Sequence, residues 1–158
     1  EAYDSPMPSG NSVAASNILR LAEFTGKEKL RTIAKNVFQT FHEQLVEEAP
    51  GHTQMLCAVD FYLESPIQIV FSSNGNVSNI RDFVKETNRY FLPNKVTAST
   101  HHGVSDEKLL EQIPLLKGKK AIQGKPTVYI CREFSCEKPI TEISVLRKEL
   151  SSLSILEG

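Results

Sequence analysis

The sequence predicts an α/β fold: an all-helical segment over residues 1–64, then a small three-layer unit over residues 65–158 with a three-stranded, mainly parallel sheet. Two observations carry this. Apolar residues recur at three- and four-residue steps as far as Leu63, and beyond Pro66 short β-branched runs alternate with amphipathic stretches of about helical length. Strands separated by helices imply right-handed crossovers and parallel pairing. This pattern puts the first strand in the centre, with the second and third on either side.

Element by element, the first helix covers residues 11–24. Its apolar residues, from Val13 through Leu19 and Leu21 to Phe24, spread over more than one face, which predicts burial on more than one side. Gly26 stands where a helix end wants a left-handed residue. Thr25 and Glu28 have the spacing of a capping box and announce a second helix, with Leu30, Ile33, Ala34, Val37, Phe38, Phe41 and Leu45 as one stripe. The two helices form an antiparallel hairpin. A third, shorter helix holds Met55, Leu56, Ala58, Val59, Tyr62 and Leu63 and ends before Ser65-Pro66, because the residue before proline avoids helical angles.

Ile67 to Phe71 is the first strand, followed by a polar loop, Ser72 to Asn76, and a helix with Ile80, Phe83, Val84, Thr87 and Tyr90. Lys95 to Thr100 is the second strand, and Ser105 caps a helix with Leu109, Leu110 and Ile113. Thr127 to Cys131 is the third, and Thr141 caps a last helix through Ile143, Leu146 and Leu150.

Composition excludes some partners. Eighteen basic and 19 acidic residues leave a net charge of -1, which gives no electrostatic footprint for nucleic acid or an anionic membrane. No apolar run approaches the ~20 residues needed to cross a bilayer. The 3 cysteines, irregularly spaced, fit a reducing, cytoplasmic setting better than a secreted disulfide framework. A start at Glu1 rather than Met leads us to expect a piece of something longer, from which a targeting signal can be missing.

Chemistry-bearing residues are few. Ser72 to Asn76 occupies the strand-to-helix position where α/β sheets bind anions, yet it lacks a three-glycine fingerprint or a P-loop lysine and reads as a structural turn. Cys131 and Cys136 do not have C-x-x-C spacing. They read as buried or incidental thiols rather than a catalytic dithiol or zinc ligands, with a disulfide open to them if the strand end bends back. His101 and His102 read as loop residues, and no metal or cofactor is expected. Asp4, Ser5, Ser9, Asn11 and Ser12 place more short polar side chains at a helix start than capping requires. Asp4, Ser9, Asn11 and Ser12 are therefore candidate substrate-binding residues, with no catalytic residue assigned and no histidine near enough in sequence to activate a serine.

Three segments carry a resemblance. Asp4 to Ala14 (DSPMPSGNSVA), with Leu19-Arg20-Leu21 and Thr25-Gly26, Tyr90 to Val96 (YFLPNKV), and Val128 to Cys136 with Pro139-Ile-Thr141 resemble the thioredoxin-domain-containing, spermatogenesis-associated protein family. Glu133 departs from it, since that family commonly has Asn there. The resemblance implies a C-terminal fragment of a long protein with a thioredoxin-like domain and a helical α/α barrel similar to sugar epimerases and six-hairpin glycosidases. Residues 1–64 would then be the last hairpins of that barrel, with the Pro-Ser-Gly-Asn-Ser segment at its sugar-holding mouth. The implied function is that of a parent that binds or transforms a carbohydrate-like substrate, the fragment alone being inactive. The alternative is a non-catalytic docking module of a redox or chaperone-like scaffold. Apolar residues stripped of barrel neighbours, such as Val13, Leu21 and Phe41, predict self-association through residues 11–48.

Overall fold

A computed structural model describes residues 1–75, 80–101 and 107–154. The chain divides into two compact units, Glu1–Pro66 and Ile67–Gly158.

The first unit is helical: α1 (Gly10–Thr25), α2 (Glu28–Thr40), α3 (His42–Glu47), a 3-10 turn (Ala49–His52) and α4 (Thr53–Leu63). Ser9 caps α1, its hydroxyl accepting from the Ser12 N–H, and Gly26 ends it with a φ of 63° and an N–H given to Ala22 O. The expected capping box does not form. Thr25 is still helical, its hydroxyl donates to Leu21 O at 2.7 Å, and Lys27 precedes α2 without a side-chain cap. The long second helix is interrupted at Phe41, where φ is -106° and ψ 13°. Helix α1 packs on α2 and α4 through Ser12, Ala15, Leu19, Ala22 and Glu23. That is one face and not several, since Val13 and Leu21 are exposed. Alanines at 15, 22, 34 and 58 are buried, so the helices meet over small side chains.

The second unit holds a four-stranded mixed sheet in the order β2 (Lys95–His101), β1 (Ile67–Ser73), β3 (Thr127–Arg132), β4 (Ser135–Cys136). The first strand is central, and all seven of its residues are buried. It pairs in parallel with β2 and antiparallel with β3, so the expected three-stranded, mainly parallel sheet is corrected to four strands with one parallel pair. The reason lies in the connection. Between β2 and β3 the described residues hold only the short helix α6 (Glu107–Gln112) and a 3-10 turn (Pro114–Leu116), followed by an irregular stretch, and no long crossover helix returns the chain to the starting end of β1. Strand β4 was not expected. It follows a two-residue turn in which Glu133 and Phe134 both have positive φ, 49° and 61°, the geometry of a tight hairpin without its usual Asn-Gly signal.

Helices α5 (Arg81–Thr87) and α7 (Ile143–Leu153) pack together. One core joins Ile67, Ile69 and Phe71 of β1, Val128 and Ile130 of β3, Phe83 of α5, and Leu146 and Leu150 of α7. Thr141 does not cap α7, since Glu142 holds that position and makes no side-chain cap bond. Asn76, His102 and Ser105 lie outside the described residues.

Candidate functional site

The residues around the start of α1 come together, and Asp4 organises them. Its Oδ1 accepts from the Ser9 N–H at 2.8 Å, and its Oδ2 accepts from the N–H groups of Gln54 at 2.9 Å and Met55 at 3.3 Å. Helix α4 has no local side-chain cap, since His52 precedes it and supplies none. Asp4 therefore caps α4 from 50 residues away, placing a carboxylate on free N–H groups at the positive end of the helix. Burial alone raises the Asp4 pKa. The Ser9 N–H, the Ser12 hydroxyl and the Met55 and Gln54 N–H groups together outweigh it and hold the carboxyl below its ordinary value.

Ser9 and Ser12 share a hydrogen bond between their hydroxyls at 2.7 Å, and Ser12 is fully buried. Asn11 donates from Nδ2 to the Glu1 carbonyl at 2.7 Å. The segment ahead of α1 is pinned further along: Asp4 N–H donates to Gly51 O at 2.7 Å, and Tyr3 packs edge-on to His52. Gly51 leaves room for the Tyr3 ring, since a Cβ would stand 2.6 Å from a Tyr3 ring carbon and the half-exposed ring would have to shift. Asp4, Ser9 and Ser12 thus form one cluster whose polar atoms engage one another and the backbone, whereas Asn11 bonds the Glu1 carbonyl instead. Sequence spacing showed their proximity to α1 but not to α4, because the partners of Asp4 are backbone groups that carry no sequence signal.

Two further pairings lie in the α/β unit, of which the sequence left only the cysteine pair open. His101 is the last residue of β2 and not a loop residue; its Nδ1 lies 3.0 Å from Ser73 Oγ across the parallel register. Ser73 is fully buried, so the pair ties two strand ends together without offering a nucleophile to substrate. Cys131 and Cys136 are not free thiols: they form a disulfide across β3 and β4, where the tight turn sets them opposite each other. Lys119 Nζ is 2.9 Å from Cys136 Sγ and lies over the Tyr129 ring, and burial pushes its pKa down. Among the described residues no group of three or more His, Cys, Asp and Glu side chains could hold a metal ion, and no helix is long and apolar enough to cross a membrane.

These features define a class: a helical unit stapled by a remote carboxylate cap, followed by an α/β unit whose mixed sheet ends in a disulfide-closed hairpin. The chain is 29% identical over 147 residues to human spermatogenesis-associated protein 20, covering 93% of this chain and 19% of that protein. The mouse protein of the same name is 28% identical over 147 residues, with 93% and 18% covered. An uncharacterised Caenorhabditis elegans protein is 28% identical over 148 residues, with 94% and 20% covered. The chain is thus similar to spermatogenesis-associated protein 20 over 93% of its own length, in keeping with the resemblance its three quoted segments carry. It spans about a fifth of the length of the curated relatives it matches. No family model matches it, and no solved structure does.

Proposed function

We propose that the chain is a non-catalytic interaction module of a longer protein, docking through the outward face of α1 onto helices outside this chain. One observation carries the reading. The exposed positions of α1 are Gly10, Val13, Ala14, Asn17, Arg20 and Leu21, with one charge among them and with Val13 and Leu21 exposed by 42% and 52%. The exposed positions of α2, by contrast, are Glu28, Lys29, Thr32, Ile33, Lys35, Asn36, Gln39 and Thr40, a mainly polar and charged face with one apolar residue. A face of mainly small and apolar residues with little charge is what a helix presents to another helix. A carbohydrate-like ligand of the longer protein draws less support from the Asp4 cluster, whose hydrogen-bonding groups already serve the backbone around them.

With the outside helices missing, the same face of α1 pairs two copies. Sedimentation of the isolated chain should show a dimer at micromolar concentrations, which the separately produced remainder of the longer protein dissociates into a one-to-one complex. Val13→Asp with Leu21→Asp should abolish both associations while circular dichroism stays unchanged. A monomer that ignores the remainder would overturn the reading.

A further inference from the structure

The α/β unit carries a second feature, independent of the α1 face. A cavity of about 680 Å³ opens between α5 and the β1–β2 pair, lined by Phe71, Ile80, Val84 and Ala98 with Arg81, Lys85, Thr97 and Ser99. Its position follows from the register. Paired residues of parallel strands share a face, so Thr97 and Ser99 stand beside Ile69 and Phe71. Ile69 and Phe71 are buried in the core, whereas Thr97 and Ser99 are exposed. The helices thus cover this face over β1 and leave it open over β2, towards the carboxyl ends of the two parallel strands, where open α/β sheets hold ligands.

The charge on the rim is specific. Arg81 and Lys85 are four residues apart on one helix, a like-charge spacing that repels. Among the described residues neither makes an ion pair. The same helix carries two acidic residues: Glu86 is taken up by Arg147 at 2.8 Å and Arg89 at 3.1 Å, and Asp82 stands three residues before Lys85. Asp82 is exposed on the same helix and has no bond to either cation. Two unanswered cations therefore stand over an apolar floor, with two hydroxyls along one wall.

We infer that this cavity binds a small organic acid: a carboxylate held by Arg81 and Lys85, carried on an apolar body that lies against Phe71, Ile80 and Val84. The size suits such a ligand, since small-molecule sites run from roughly 300 to 1,000 Å³ and combine an apolar lining with a few placed polar groups. Arginine favours the carboxylate, because its planar fork matches two oxygens at once. Thr97 and Ser99 supply hydroxyls that bond either oxygen, which suits a site that reads charge and apolar length rather than one fixed outline.

The test uses the full chain labelled with ¹⁵N and three probes: octanoate, acetate and octanol. Octanoate should bind saturably, with shifts at the amides of Val84, Ala98 and Ser99. Acetate lacks the apolar body and octanol the charge, and each should bind at least about tenfold more weakly. Arg81→Gln with Lys85→Gln, both at exposed positions, should weaken octanoate about tenfold or more and leave octanol unchanged. Absence of saturable octanoate binding, equal affinity for octanol, equal affinity for acetate, or an unaffected double variant would each overturn the assignment. Because the α1 face plays no part, Leu21→Asp should leave octanoate affinity unchanged whatever becomes of docking.

Discussion

Replacing Asp4 with Ala removes the acceptor of three backbone N–H groups, two of them in the first turn of α4. Losing a side-chain cap costs about 0.5–2 kcal/mol, and losing a negative charge at a helix amino terminus costs a further ~0.3–1 kcal/mol. The Ser9 N–H loses its partner as well, so the sum comes to about 2–3 kcal/mol, scaled down for a half-buried site that water can reach. Asp4→Asn keeps one carbonyl oxygen and loses the charge, and should cost about half as much. Urea denaturation followed by circular dichroism gives the stability, and amide exchange at Gln54 and Met55 reports the α4 end specifically. The pH dependence has a definite sign. The folded Asp4 carboxyl titrates below its ordinary value of 3.8, so its stabilisation is complete above that value and is lost as pH falls through the lower folded value. Wild type should therefore show an acid loss below about pH 4 that Asp4→Asn lacks. A change under about 0.5 kcal/mol for Asp4→Ala, with Gln54 and Met55 still protected, would refute the remote cap.

Further outcomes follow from single contacts. Arg31 holds the buried Glu23 at 2.9 Å and donates to Tyr62 O at 3.1 Å, so Arg31→Ala should destabilise the helical unit by about 2 kcal/mol in urea melts. Glu133 has a φ of 49°, which an L residue other than Asn or Gly resists, and Glu133→Asn should raise stability by about 0.5 kcal/mol. Thiol titration of the native chain should count Cys57 alone, and Cys131→Ser with Cys136→Ser should cost about 2 kcal/mol.

Much of the fold was legible because it rests on periodicity. The helical pattern of α1 and α4 and the short apolar run of β1 are local statements about which residues avoid water, and the central place of β1 came from the alternation of strands and helices. The failures share a different cause. Thr25 matched a capping box by spacing, but Gly26 terminated α1 one residue later and kept Thr25 helical. The direction of β3 depends on what its connection can pack against, which residue types do not announce. The turn at Glu133 and Phe134 hid β4 and the disulfide, since neither residue advertises a positive φ. The Asp4 cluster was half legible: the surplus of polar side chains was visible, and their use was not, because the α4 N–H groups are the same at every helix start.

The disulfide also bears on how the chain reaches its oxidised form. Cys131 and Cys136 are separated by five positions, whereas Cys57 lies roughly 75 to 80 residues away from either. Loop closure scales with the logarithm of length, so in the unfolded chain the short pairing is favoured over either long one by about 2 kcal/mol, or some tens of fold in rate of encounter. The hairpin turn then adds orientation to proximity. An oxidant meeting the unfolded chain would join these two sulfurs first, and the β3–β4 staple would be in place ahead of the long-range pairing of β1 with β3, which spans about sixty residues.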